Sequence, residues 1–384
     1  MRQPLRSKLP TVGTTIFTVM SQLAEKHRAV NLSQGFPDFQ PPAGLIERVE
    51  HYVGGGRFHQ YAPMPGSVPL REAIATKLAD LYGVSADPDT EITVTSGATE
   101  AIFCAIQATV RRDDEVVVFD PCYDSYEPSV TLAGGRVVHL PLAPPAFAID
   151  WDRLRAVLNE RTRLVIVNSP HNPAGTVVGK ADLDRLAGLL RPFDCYLLSD
   201  EVYEHVVFDG RTHATALAHE ELRQRCFAVF SFGKTYHATG WKLGYCVAPP
   251  QLSAELRRVH QYVTFASTSP LQAALADYVR EHPEHHMALP AFYEERRDYF
   301  NGLLANTRWS VRPSAGTYFQ LADYGEISNL PDVEFARWLT IEHGVATIPV
   351  SVFYQTPPEM RLVRFCFAKE NATLDEAVRR VHAL

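Results

Sequence analysis

The chain has 384 residues, 46% hydrophobic and 21% charged, which excludes disorder and predicts a soluble globular protein with more than one core. A formal charge of -7 and a pI near 6.1 give no global attraction to nucleic-acid backbones or anionic lipid. No run approaches the ~18 apolar residues of a membrane span, and the basic start, Met1–Lys8, lacks the apolar stretch of a signal peptide, so the expected location is the cytoplasm.

In chain order, the first ~40 residues are rich in Pro and Gly, have no obvious sheet of their own, and are expected to pack against a later unit. Ile92–Thr95 reads as a strand and Ala98–Val110 as the helix after it. Val116–Phe119 is an apolar strand, followed by the helix-like Ser125–Leu132. Arg136–Leu140, Leu164–Val167, Tyr196–Ser199 and Phe227–Phe230 continue the series. Asp182–Leu190 is helical between two of them, with leucines at 183, 186, 189 and 190 on one stripe. Short apolar strands alternating with helices predict a buried, mostly parallel α/β sheet. After about Leu275 the pattern becomes α+β. It runs through a helix Met287–Leu304 interrupted at Pro290, a strand Tyr318–Leu321, a helix Val333–His343 and a short strand near Ala346–Ile348. Strand Leu362–Phe367 and a closing helix from Leu374 complete it. The six cysteines are scattered with no CxxC pair, which predicts a reducing compartment, no disulfide framework and no metal site.

The most informative segment runs from Val229 to Lys242. A strand ends in Ser231, Gly233 frees the backbone, and Lys234 follows among small, hydroxylic and aromatic residues. A lysine in a loop is ordinarily a surface group. As a nucleophile it needs a depressed pKa, which desolvation and a second cation such as Lys242 supply. In Thr95-Ser-Gly-Ala-Thr-Glu100 a strand enters a helix through Ser96, Gly97 and Ala98. Its free amides suit a phosphate, although a capping box gives a similar string. Asp200 ends an apolar strand, where ligands of open α/β sheets collect. It needs a cationic partner, either a protonated pyridine nitrogen or an arginine. Asn168 and Asn172 follow another strand end; their amides suit a phenolic oxygen, as does Tyr203, and the nearby prolines equally mark a turn. Tyr123 is placed to stack on a flat ring. Arg364, alternating with Val, Phe and Cys, calls for a buried anion: a substrate carboxylate or an internal Glu.

Together these segments resemble the fold-type-I, class I/II aminotransferases that depend on pyridoxal 5'-phosphate, along nearly the whole chain. The motifs are NLSQGFPDF at Asn31–Phe39, QYAP at 60–63, SGATEA, PCYDSY, NSPHNPAG, SDEVYE, SFGKTYHATGWKLGY and RFCFAK, in that order. The strings Gly13-Thr-Thr-Ile-Phe17, NLSQGFPDF and SVF at 351–353 look like the subgroup of bacterial methionine aminotransferase and the kynurenine aminotransferase/glutamine transaminase K enzymes. The resemblance implies a seven-stranded sheet in a large cofactor-binding domain at 45–276. It also implies a small domain at 277–384 joined by an N-terminal arm at 1–44. By resemblance, Lys234 is the Schiff-base lysine and proton shuttle, and Asp200 holds the pyridine nitrogen. Asn172 and Tyr203 bond the ring oxygen, with Asn168 beside them, and Tyr123 stacks on the ring. Gly97, Ala98, Thr99, Ser231 and Lys242 hold the phosphate, with Tyr61 reaching it from a second subunit of a homodimer. Arg364, Asn172 and the Gly35 backbone clamp the substrate carboxylate.

The aspartate-specific branch uses a second arginine for the distal carboxylate, and Tyr262–Ser269 contains none. Ile16, Phe17, Tyr61, Tyr318 and Phe353 instead suit an apolar or aromatic side chain, methionine above all. The expected reaction is ping-pong transfer of an amino group from methionine, or from an aromatic or other neutral amino acid or kynurenine, to a 2-oxo acid. The alternatives are β-elimination from cysteine conjugates on the same scaffold and, ranked below it, a cofactor-binding regulatory module. The acidic charge and the lack of a helix-turn-helix before Pro10 count against that module.

Overall fold

Alternation along the strands sets the layers. Val116 and Val118 enter one apolar core, while Val117 and Phe119 enter another on the opposite face, as the two-residue period of a strand requires. The computed structural model describes residues 5–384, so the first four residues of the expected arm and of Met1–Lys8 lie outside the described residues. Seven strands form the central sheet: β1 (Ile92–Thr95), β2 (Glu115–Asp120), β3 (Arg136–Pro141), β4 (Thr162–Asn168), β5 (Tyr196–Asp200), β6 (Cys226–Ser231) and β7 (Gly244–Val247). Their spatial order is β1-β7-β6-β5-β4-β2-β3. β7 alone runs against the other six. The architecture is therefore the expected α/β type with a mostly parallel sheet.

Six of these strands are legible as short apolar runs. β7 is not, because its four residues begin at a glycine inside a loop-like Gly-Trp-Lys-Leu-Gly-Tyr string and pair antiparallel on both sides. Helices cover both faces. Ala98–Thr109 buries Ala101, Ile102, Ala105 and Ile106 against one face, and Lys180–Leu190 buries Leu183, Leu186 and Leu190 on the other. Each such leucine contributes about 1.5–3 kcal/mol by leaving water.

In the C-terminal part, Ser310–Val311, Phe319–Asp323, Ile348–Pro349 and Leu362–Cys366 form an antiparallel four-stranded sheet. The expected break at Pro290 does not occur: one helix runs from Pro283 to Leu304 with Pro290 inside it. The missing N–H costs the bond to the residue four before. Burial of His286, Leu289 and Tyr293 on either side offsets that loss. In place of the strand near Ala346–Ile348 there are two, Val345–Ala346 and Ile348–Pro349, with the buried Thr347 between them bonded to the Arg364 carbonyl at 2.7 Å.

The N-terminal segment does pack here. Helix Ile16–His27 shares a core, through Met20, with Ala336 and Ile348. Val30–Asn31 pairs with Val345–Ala346, the Cys366 amide donates to the Leu32 carbonyl at 2.8 Å, and Lys369 Nζ donates to the Phe36 carbonyl at 2.8 Å. All six cysteines are buried and unpaired. No helix among the described residues is long and apolar enough to cross a membrane.

Candidate active site

Four strands running the same way end at one edge: β1 at Thr95, β4 at Asn168, β5 at Asp200 and β6 at Ser231. The pairings Asn168 with Asp200, Thr95 with Gly244 and Ser231 with Gly244 hold those ends level. Such an edge is where open α/β sheets gather ligands. All the predicted cofactor residues except Tyr61 line one cavity of about 180 Å³ there. A larger cavity of about 440 Å³ shares Asn168 with it but has no lysine in its lining.

Lys234 sits in a single helical turn, Phe232–Thr235, started by the end of β6. A Cβ on Gly233 would come within 2.9 Å of Thr239 Cα, so glycine lets the turn fold onto the next segment. Lys234 Nζ donates to the Gly35 carbonyl at 3.0 Å and to the Tyr318 hydroxyl at 2.8 Å. Burial is the largest influence in bringing its ammonium down to about 8. Arg364 and Lys242 act in the same direction, and Cys366 and Asp200 oppose them. The sequence points to Lys242 as the second cation; in the fold Arg364 stands ahead of it.

Asp200 is 4% exposed. Burial pushes its carboxyl up to about 6, against the Tyr126 hydroxyl at 2.6 Å and the Val202 amide at 3.4 Å. No arginine pairs with it among the described residues, which removes the plain salt bridge as its explanation. Asn168 spends both ends of its amide on the protein, donating to the Asp200 carbonyl at 2.9 Å and accepting from the Asn172 amide at 2.8 Å. It braces the edge. Asn172 accepts from Arg364 at 2.9 Å through Oδ1, which leaves Nδ2 as its donor end. Tyr203, 3% exposed, lies edge-on to Tyr318 with centroids 5.1 Å apart, and burial raises its hydroxyl above the ordinary range.

The turn after β1 leaves the first amides of its helix without a side-chain cap. Gly97 has φ +79°, a conformation that favours glycine, and caps helix Ala98–Thr109 without a side-chain bond. A Cβ there would meet Lys242 Cε and Nζ at 3.4 and 3.5 Å, so the ammonium lies close against this turn. Ala98, Thr99, Ser231 and Lys242 join it in the lining, and Thr99 Oγ1 lies 3.4 Å from the Tyr123 hydroxyl.

Arg364 is 1% exposed and has no carboxylate partner among the described residues. Its Nη2 donates to the Ser33 carbonyl at 2.8 Å, and its Nε is buried with no acceptor. Its guanidinium lies 3.9 Å over Phe319, 5.3 Å from Phe17 and 6.0 Å from Phe353. The internal Glu pair considered from sequence is therefore not formed. Phe17 and Phe353 lie 5.7 Å apart, and Ile16 packs on the same cluster. Gly35 must be small, because a Cβ would come within 2.8 Å of Phe319 Cζ. Tyr318, expected to line a side-chain pocket, also bonds the lysine and the Gly35 carbonyl.

Tyr61 is not brought to this cavity. It is 84% exposed and lies edge-on to Phe265 at 5.3 Å. Sequence reasoning missed Tyr126, whose only signal is its place in PCYDSY, and the Ser33 carbonyl, which no side-chain pattern announces. Thr239, Val202 and Ile102 also line the cavity and carry no local mark.

A family model described as aminotransferase class I and II matches residues 27–381. The chain is 55% identical over 379 residues to methionine aminotransferase of Escherichia coli strain K12, covering 99% of this chain and 98% of that protein. It is 39% identical to a probable N-succinyldiaminopimelate aminotransferase of Mycobacterium tuberculosis, covering 98% of each. It is 32% identical to human kynurenine–oxoglutarate transaminase 1, covering 94% of each. A crystal structure of an E. coli protein identified as having methionine aminotransferase function superposes with a TM-score of 0.97, at 54% identity and over 100% of both chains.

Proposed function

Because the chain belongs to the class I and II aminotransferase family, we propose that it moves the amino group of methionine to a 2-oxo acid. Aromatic and other neutral amino acids and kynurenine are further donors. The exchange is ping-pong: one amino acid leaves as its oxo acid before the second oxo acid enters. The observation that carries this reading is a lysine drawn toward its neutral form between a buried acid and an unpaired buried guanidinium.

These residues fit pyridoxal 5'-phosphate. Asp200 is a buried carboxylate short of a cation, Arg364 Nε is an orphaned donor, and Gly97 with Lys242 forms an anion cradle that a side chain would narrow. Lys234 would hold the aldehyde carbon, Asp200 the ring nitrogen, and Asn172 and Tyr203 the ring oxygen. Tyr123 would lie against the ring. Ala98, Thr99, Ser231 and Lys242 would hold the phosphate. When bound, the cofactor supplies an electron sink that makes the amino acid's α-proton removable.

The remaining work falls to the chain. Lys234 Nζ, its proton loosened by burial, can take that proton and return it two atoms away, while the Tyr318 hydroxyl and the Gly35 carbonyl steady it. Arg364 and Asn172 would clamp the substrate carboxylate, and the guanidinium's aromatic surroundings strengthen the clamp by excluding water. Ile16, Phe17 and Phe353 offer an apolar wall without a second cation, which supports a neutral side chain such as a thioether.

The exposure of Tyr61, edge-on to the likewise exposed Phe265, supports a homodimer in which Tyr61 completes a neighbouring site. We place the domain limits at 44/45 and 276/277, and the enzyme in the cytoplasm on the strength of six unpaired cysteines. A panel of amino donors against one oxo acid tests the substrate. Methionine should lead with phenylalanine close behind, and aspartate outperforming both would defeat the assignment.

A further inference from the structure

The segment that carries Tyr61 and the turn that opens helix Ala98–Thr109 meet through one histidine. His260, on helix Pro250–Val263, is 0% exposed. Its Nε2 lies 3.0 Å from the Met64 carbonyl oxygen and its Nδ1 lies 2.6 Å from Oε1 of Glu100. A carbonyl oxygen can only accept, so Nε2 carries a hydrogen. Burial, the largest influence on Glu100, pushes its carboxyl up. The bond and charge of His260 and the Ser96 amide outweigh that and hold it below the usual range. The ring therefore bridges the Met64 carbonyl and the Glu100 carboxylate, one through each nitrogen.

Cys104 completes a trio whose ligand atoms lie within 4.8 Å of one another, a spacing a metal ion could use. Both ring nitrogens are already engaged, by the Met64 carbonyl and by Glu100, and burial pushes the Cys104 thiol up to about 12. The trio is therefore a hydrogen-bonded pair beside a neutral thiol.

The consequence falls on the neighbouring turn. The Glu100 carboxylate accepts the Ser96 N–H, and no side chain caps the helix at Gly97. The amides of Ala98 and Thr99, both in the cavity lining, are left for a ligand. The His260 bond on the other side of the Glu100 carboxylate keeps it from swinging away from the Ser96 N–H. Resting on the reading of this turn as a phosphate seat, we propose that His260 and Glu100 form a hydrogen-bonded brace. The brace fixes the Ser96–Gly97 turn for the phosphate and ties it to the Tyr61–Met64 segment. Both are positioning residues.

The test compares binding of pyridoxal 5'-phosphate and of pyridoxal, which lacks the phosphate, to the full-length apoenzyme. In His260→Gln, affinity for the phosphorylated aldehyde should fall about tenfold or more while pyridoxal binding is unchanged. Adding Glu100→Gln to that variant should cost little more, because both residues act through one shared bond. Equal losses for both aldehydes, or a double variant as weak as simple addition, would overturn the brace. Wild-type enzyme that fails to favour the phosphorylated aldehyde would instead overturn the phosphate seat. Histidine-selective nitrogen NMR of wild-type apoenzyme is independent of how the variants fold. It should find a hydrogen on His260 Nε2 that exchanges slowly with solvent, as a buried bond to the Met64 carbonyl requires, and a fast-exchanging Nε2 hydrogen would sink the proposal.

Discussion

Replacing Tyr126 with phenylalanine isolates one interaction behind the site. The ring is 2% exposed and its hydroxyl donates to Asp200 Oδ2 at 2.6 Å, leaving only the longer Val202 amide bond on that carboxylate. A hydrogen bond to a charged group stabilises by about 1.5–3 kcal/mol, and one pKa unit corresponds to about 1.4 kcal/mol. Its loss should raise Asp200 by about one to two units above the present value of about 6. At pH 7 the charged fraction in the apoenzyme then falls from about nine-tenths to between about one-half and one-tenth. The assay is cofactor affinity of the apoenzyme measured across pH. Tyr126→Phe should bind about two- to tenfold more weakly at pH 7 and recover as the pH approaches 9. A deficit of equal size at every pH would mean that the hydroxyl serves packing alone. A midpoint that moves down would refute the reasoning outright.

Arg364→Gln removes a buried, planar double donor. The catalytic efficiency with methionine should drop at least about 100-fold, while reaction with an amine lacking the carboxylate is spared; parallel losses would show a collapsed site. Gly35→Ala drives a methyl against Phe319 Cζ at 2.8 Å and should displace the carbonyl that steadies Lys234, lowering turnover with the fold intact by circular dichroism. Lys234 titrates near 8 in the native state and at about 10.5 when unfolded, so between those values the unfolded chain binds the extra proton. Apoenzyme stability to urea should therefore rise from pH 8 toward pH 10.5 relative to Lys234→Met, and a flat or falling difference would contradict the lowered pKa.

The parts of the fold written in local patterns were legible. Leu183, Leu186 and Leu190 reveal a helix face because burial follows its period, and β2, β4, β5 and β6 reveal themselves as apolar runs because both faces are covered. β7 escaped because its register comes from β1 and β6, not from its own four residues. Pro290 misled because tertiary packing overrides a single broken bond. At the site, motif order located Lys234, Asp200 and Arg364. It could not say that Arg364 lacks a carboxylate or that Tyr126 serves Asp200, because those facts depend on contacts 192 and 74 residues apart in sequence. The pairing of His260 with Glu100 spans 160 residues and leaves no trace in either neighbourhood.

The arm that supplies the Gly35 carbonyl is latched by residues from the far end of the chain: Val345, Arg364, Cys366 and Lys369. During synthesis the arm emerges first, yet it has nothing to grip until some 330 further residues have left the ribosome. The lysine's surroundings are thus among the last parts to mature. A C-terminally clipped protein would keep every strand end that lines the cavity and lose the anchors of the segment that sets the Gly35 carbonyl against Lys234.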